Sequence, residues 1–230
     1  ERERALERAL GDRDALEADA EARRVHHDEH GLEAAVLLAD QRADRSRRCF
    51  GGTSDATVAE LQEIGFFKLL QPTRYGGLES SPLDFYEGVR LIAGACGSTG
   101  WVSSVVGVHP WQVALFADEA QQAVWGTDPN VRLSSSYAPT GKATLTEGGF
   151  KLSGKWSFSS GCDHCQWVLL GGLVFNDDGN VVDFRTFMIP RSDYQILDVW
   201  HMVGLAGTGS NDIVVDDVFV PEAFTLSMGE

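Results

Sequence analysis

The apolar residues of this chain change their rhythm once, near Val131, and no other feature restricts the fold as much. Upstream they recur three and four apart: Leu32, Ala35, Val36 and Ala39 in one segment, Val58, Leu61 and Ile64 in the next, Phe85, Val89 and Ile92 in a third. That is the spacing of one face of an α-helix. Downstream the pattern becomes short alternating runs separated by turn residues, the spacing of half-buried strands. A helical half followed by a strand half predicts a segregated α+β chain, with an antiparallel β-domain in place of alternating units on a parallel sheet.

Local signals set the boundaries. Leu32 to Arg48 reads as a helix stopped by Gly51-Gly52. Ser54 offers an N-cap for a second helix that Gly65 ends, and Ser81 followed by Pro82 starts a third, with proline where its missing N–H costs nothing. The third helix is read as running into Gly94-Ala95-Cys96-Gly97-Ser98-Thr99-Gly100-Trp101, where small side chains permit close helix packing at Gly94 and Gly97 or the approach of a ligand to the backbone. A further helix is predicted from Val105 to Trp125. Strands are predicted over 131–137, 142–147, 149–158, 165–175, 181–190, 194–200 and 211–220, with hairpin signals at Glu147-Gly148-Gly149 and Asn176 to Asn180. Gly204 to Ser210, rich in glycine, joins the last two.

Charge and composition exclude some functions. A formal charge of −15 repels phosphate backbones and anionic membranes, so nucleic acid is not an expected partner. No apolar run approaches the roughly 20 residues needed to cross a bilayer, and the N-terminus is a charged Arg/Glu series without an apolar signal core. A cytoplasmic protein with reduced thiols is expected, because Cys49, Cys96, Cys162 and Cys165 are too few for a disulfide framework. The Cys162-x-x-Cys165 pair lacks the second pair that a zinc site needs and reads as a turn. His26, His27 and His30 read as exposed histidines on a polar helix, and no metal site is expected. Neither a Walker loop nor a Rossmann fingerprint is present.

The stretch Trp156-Ser157-Phe158-Ser159-Ser160-Gly161 is the place to look for chemistry. In a regular strand Trp156 and Phe158 share one face and Ser157 and Ser159 the other, until Gly161 lets the backbone turn. Planar surface beside short hydroxyls suits a flat heteroaromatic ring. It equally suits an amphipathic strand with aromatics in the core. His109, set among Val108, Pro110 and Trp111, has the surroundings of a satisfied core histidine.

Five motifs occur in a familiar order: Pro72-Thr73-Arg74-Tyr75-Gly76-Gly77, Gly97-Ser98-Thr99-Gly100-Trp101, Ser134 to Pro139, Trp156 to Gly161, and Gly204 to Asp217 with Pro221. On these residues the chain resembles the acyl-CoA dehydrogenase superfamily, and within it the oxygenase components of two-component flavin-dependent monooxygenases, such as 4-hydroxyphenylacetate hydroxylase and the seco-steroid phenol hydroxylase. The resemblance covers roughly residues 31 to 225. It implies an N-terminal helical domain over 31–128, a central β-domain over 129–225, a charged helical lead-in over 1–30, and a C-terminal four-helix bundle that these 230 residues do not include. Acyl-CoA dehydrogenases look like T-E-P-x-A-G-S-D at the first flavin loop, whereas Ser134-Ser135-Ser136-Tyr137-Ala138-Pro139-Thr140-Gly141 carries no acidic residue, which favours the hydroxylases. Many hydroxylase relatives have an arginine in the loop held here by Leu205-Ala206-Gly207, and Ala206 does not replace its charge.

The function implied by the resemblance is hydroxylation of a phenolic substrate. Reduced FMN or FAD arrives from a separate NAD(P)H-dependent flavin reductase, reacts with O2 to a C4a-hydroperoxyflavin, and one oxygen atom passes to the ring. The resemblance places Ser159 or Ser160 near flavin N5, Phe158 and Trp101 beside the flavin ring, Ser135 and Ser136 at its polar edge or at the substrate hydroxyl, and His109 at the phenolic proton. It also implies a homotetramer when full length. The alternative is an acyl-CoA dehydrogenase or oxidase with tightly held FAD.

Overall fold

The computed structural model describes residues 53–229, so the predicted helix over 32–48, the lead-in over 1–30 and its three histidines lie outside the described residues. Among the described residues four α-helices come first: α1 (Asp55–Glu63), α2 (Pro82–Ala95), α3 (Gly97–Val113) and α4 (Asp118–Trp125). Ser54 caps α1 by accepting the Thr57 N–H at 3.2 Å, and Ser81 caps α2 through Leu83 N–H with Pro82 in the first turn. Among the described residues no helix is long and apolar enough to cross a membrane.

Two helix expectations need correction. Cys96 adopts an extended conformation (φ −148°), so the third helix does not continue through the small-residue run; α3 begins anew at Gly97. The region from Val105 to Trp125 is likewise two helices, interrupted after Val113. The close approach between α2 and α3 is made by Gly100, where a Cβ would lie 2.5 Å from that of Ala93. It is not made by Gly94, which faces open space, nor by Gly97, whose nearest neighbour is the Leu205 side chain at 3.9 Å. Beneath the helices lies a core of Phe66, Phe67, Phe85, Val102 and Val106 that also takes in Cys165.

The strands are β1 (Leu133–Thr146), β2 (Gly149–Ser159), β3 (Trp167–Phe175), β4 (Val181–Pro190), β5 (Gln195–Leu197), β6 (Asn211–Pro221) and β7 (Thr225–Ser227). They form one sheet in the order β5-β6-β2-β1-β3-β4-β7. The segregation of helices from strands is as the sequence predicts. The sheet is mixed, however: β1 and β3 run parallel, Leu133 beside Trp167, while every other pair is antiparallel. The runs 131–137 and 142–147 are a single strand with a register shift between Ser136 and Gly141, and the strand expected over 194–200 shortens to three residues.

Trp156 accounts for that shift. Its indole is wholly buried and donates Nε1–H to the Gly171 carbonyl at 2.7 Å. It occupies the room that side chains at 141 and 154 would need, for a Cβ at either position would come within 2.8 Å of the ring. The ring is thus an anchor around which Leu152, Val168, Leu170, Phe187 and Ile213 pack.

Candidate functional site

At the end of β2 the alternation fails. Pairing with β6 passes from Trp156 opposite Ile213 to Ser159 opposite Asn211, three residues on one strand against two on the other, which is a β-bulge. Phe158 takes up the extra residue in the left-handed region, φ +67°. The expectation that Trp156 and Phe158 share a face is therefore wrong: Trp156 goes to the core, and Phe158 turns out to 67% exposure. A bulky residue held at positive φ stores of the order of 1–3 kcal/mol of strain, and such strain is characteristic of functional sites. Gly161, also at positive φ (+71°), then packs against Val102 and Val106 of α3 and brings the strand end onto the helix.

Ser160 gathers the exposed aromatics. Its Oγ accepts the indole N–H of Trp101, itself 50% exposed, at 2.9 Å, and its backbone N–H donates to the Phe158 carbonyl. Phe158 meets Trp200 edge to face, with ring centroids 5.9 Å apart. Ser159 points the other way. It is fully buried, and its hydroxyl donates to Ser134 Oγ at 3.2 Å. Ser135 and Ser136 are buried too, Ser136 donating to the Ser157 carbonyl at 2.7 Å. Of the two serines singled out by sequence, Ser160 is the one beside the exposed rings.

Sequence reasoning missed two members of this cluster, Thr208 and Ser210. Ser210 Oγ lies 2.7 Å from Ser160 Oγ and 2.6 Å from Thr208 Oγ1. The loop that carries them is held from both ends: Asn211 Oδ1 accepts the backbone N–H groups of Val199 and Trp200, and the Trp200 indole donates to the Leu205 carbonyl. A signal was present, since residues two apart after a glycine-rich turn can face one side.

His109 sits apart from these, 1% exposed on α3. Its Nδ1 lies 2.8 Å from the Leu133 carbonyl at the start of β1. A carbonyl only accepts, so Nδ1 carries the hydrogen and Nε2 keeps its lone pair. Burial lowers the imidazole from 6.5 to about 4, against a smaller opposing effect of the Leu133 bond, and the ring is neutral at pH 7. Its centroid is 6.3 Å from that of Tyr137, whose hydroxyl donates to Gln112 Oε1. Desolvation of that hydroxyl pushes Tyr137 up to about 12, although the residue as a whole is 39% exposed; the shift belongs to the hydroxyl end. A surface cleft of about 480 Å³ lined by Asp55, Gln62, Arg132, Asp163 and His164 lies elsewhere and contains none of these groups.

Cys162 and Cys165 are buried free thiols, both pushed up by desolvation, and among the described residues no cluster could hold a metal. The reading of the pair as a turn holds: Cys162–His164 form a single 3-10 turn and Cys165 follows it.

Residues 33–128 match the N-terminal domain of acyl-CoA dehydrogenases. The chain is thus similar to the acyl-CoA dehydrogenase superfamily, and the relatives it resembles there include oxygenase components. It is 57% identical over 173 residues to the flavin-dependent monooxygenase oxygenase subunit HsaA of Rhodococcus jostii (strain RHA1), covering 75% of this chain and 45% of the relative. It is 41% identical over 170 residues to the FADH(2)-dependent resorcinol hydroxylase oxygenase component of Rhizobium sp. (strain MTP-10005), covering 74% and 42%. The crystal structure of the HsaA monooxygenase from M. tuberculosis superposes with a TM-score of 0.85 at 50% identity, over 87% of this chain and 52% of that one. The chain therefore spans about half the length of the relatives it matches.

The cluster fits the flavin that such a fold takes. Exposed faces of Trp101 and Phe158 offer flat apolar surface, and the Ser160 hydroxyl beside them offers a partner for a ring-edge nitrogen or oxygen.

Proposed function

We propose that the protein carrying this chain is the oxygenase component of a two-component flavin-dependent monooxygenase that hydroxylates a phenolic ring. The observation that carries the reading is the Nδ1–H bond of His109 to the Leu133 carbonyl, which leaves a neutral imidazole with Nε2 as its only basic atom. A phenol is attacked faster by an electrophilic oxygen as its own oxygen gains negative charge. A group that accepts a hydrogen bond from the phenolic hydroxyl strengthens that charge, and an imidazole already protonated at pH 7 would have no lone pair to accept it.

Reduced flavin, when bound, supplies the two electrons with which O2 delivers one oxygen atom to the ring and one to water. The chain's residues do the rest. His109 accepts the hydrogen bond of the phenolic hydroxyl at Nε2 and Leu133 holds the ring in that tautomer. Trp101 and Phe158 flank the flavin and exclude water from it, Ser160 bonds its edge, and Ser159 supports the bulge from beneath through Ser134. Ser135 and Ser136 line the polar end. FMN or FAD would come from a separate NAD(P)H-dependent reductase, and we read the working enzyme as a cytoplasmic homotetramer with helical and β-domains meeting near residue 129.

His109→Asn tests this in the full-length protein supplied with reduced FMN or FAD and a panel of phenols. Asn keeps a donor for Leu133 but has no atom at the position of Nε2. Hydroxylated product per flavin oxidised should fall about twofold to tenfold at pH 7, the worth of one neutral hydrogen bond, and recover as the pH nears that of phenol ionisation. Unchanged product yield would refute the role of His109. A protein that purifies with tightly bound yellow FAD and does not hydroxylate would favour the dehydrogenase alternative.

A further inference from the structure

Three hydroxyls run in a row from the exposed aromatics into the protein. Ser160 Oγ is 2.7 Å from Ser210 Oγ, Ser210 Oγ is 2.6 Å from Thr208 Oγ1, and Thr208 Oγ1 reaches the Leu205 carbonyl at 3.1 Å. At the outer end the Trp101 indole donates to Ser160. All three residues are at most 4% exposed. Each hydroxyl has one hydrogen, so the row has two consistent directions. Running inward, Ser160 donates to Ser210, Ser210 to Thr208 and Thr208 to Leu205. Running outward, Thr208 donates to Ser210, Ser210 to Ser160, and the Ser160 hydrogen points away from the protein. Among the described residues nothing accepts it there. The inward direction gives every hydrogen an acceptor and is the resting one, and the Trp101 contact is compatible with both because an oxygen has two lone pairs.

We propose that Thr208 and Ser210 set the direction of the Ser160 hydroxyl, and so make the site favour a flavin ring bearing N–H at the edge that meets Ser160 over one bearing a bare nitrogen there. The inference rests on the flavin reading above. Reduced flavin carries a hydrogen on N5 and is a donor at that atom; oxidised flavin has only a lone pair and is an acceptor. A donor meets the resting row without disturbing it. An acceptor requires all three hydroxyls to reverse, and the Thr208 bond to Leu205 is then lost. A difference of one neutral hydrogen bond corresponds to about twofold to tenfold in affinity. Thr208 and Ser210 are on this account positioning residues: neither needs to touch the flavin.

Two substitutions separate this from mere fastening of the 204–210 loop to β2. Thr208→Val keeps the shape but cannot accept from Ser210, so the Ser210 hydrogen turns to Ser160 and the Ser160 hydrogen turns outward. Ser210→Ala leaves the Ser160 hydrogen without its inner acceptor. Dissociation constants of the full-length protein would be measured for oxidised and for anaerobically reduced FMN, then repeated with FAD. In the wild type the reduced form should bind about twofold to tenfold more tightly from this source, and in both variants that preference should shrink or invert, most in Thr208→Val. If both redox forms weaken by the same factor in both variants, the row only fastens the loop and the inference is wrong. If the wild type binds neither form, the flavin reading fails and this inference fails with it; binding with unaltered ratios defeats this inference alone.

Discussion

The burial of His109 makes a measurable statement about stability and pH. In the unfolded chain the imidazole titrates near 6.5, and in the fold at about 4. Between those values the unfolded state holds more protons than the native one, so lowering the pH favours unfolding. The native state's advantage is whole above about pH 6.5 and is lost progressively as the pH falls towards 4. At 1.36 kcal/mol per pH unit of difference the full loss is about 3 kcal/mol, and at pH 5.5 roughly 1.4 kcal/mol of it should already be gone. That pH stays clear of the sequence pI near 4.7, where solubility is poorest. The assay is urea unfolding of wild type and His109→Asn at pH 7.5 and 5.5. Asn does not titrate and can still donate to the Leu133 carbonyl, so the acid sensitivity of all other groups cancels in the difference. Wild type should lose about 1.4 kcal/mol more than the variant between the two pH values. Equal losses would show that His109 is not held neutral by burial, and the argument for its tautomer would fall with it.

Two further predictions follow from packing. Gly100→Ala should lower the thermal midpoint and destabilise by about 1–3 kcal/mol, because its Cβ would sit 2.5 Å from Ala93 Cβ and close to the backbone of α2. Gly94→Ala, with open space around it, should instead stabilise by up to about 1 kcal/mol through helix propensity, and the opposite ranking in a melting experiment would refute the placement of the contact. Cys162 and Cys165, whose thiols burial pushes up, should resist alkylation in the native protein while the half-buried Cys96 reacts first; peptide mapping that finds Cys162 modified as fast as Cys96 would contradict their burial.

The division into helices and strands was legible because apolar spacing is enough to distinguish the two periods. Gly161 was legible as a turn for the same local reason. The left-handed Phe158 was not, since nothing in Trp-Ser-Phe-Ser signals that a bulky residue will enter that region; the bulge is imposed by pairing with β6, more than fifty residues away. Nor was the parallel β1–β3 pair. Parallel neighbours need a crossover of a dozen residues or more, and here residues 147–166 provide it with β2 itself inside the connection, which no local spacing announces. His109 could be read as buried from its neighbours, but its tautomer depends on a carbonyl at Leu133 that no local pattern links to it. Close packing was expected at the wrong glycines because composition does not reveal which face of α2 meets α3.

The crossover through β2 also bears on the order in which the molecule assembles. β1 and β2 meet through the tight turn at Glu147-Gly148, a local pairing that closes quickly. The 160–166 segment then carries the chain over the start of β1, which seats Ser159 against Ser134. Contact between Ser160 and Ser210 spans 50 residues and needs β6 paired with β2 first. In refolding, the fluorescence of Trp101, whose indole reports on Ser160, is therefore expected to reach its native value after the β1–β2 pair has formed. Molecules with the β1–β2 pair formed and the Ser160 cluster unfinished would accordingly be present for a short time during refolding.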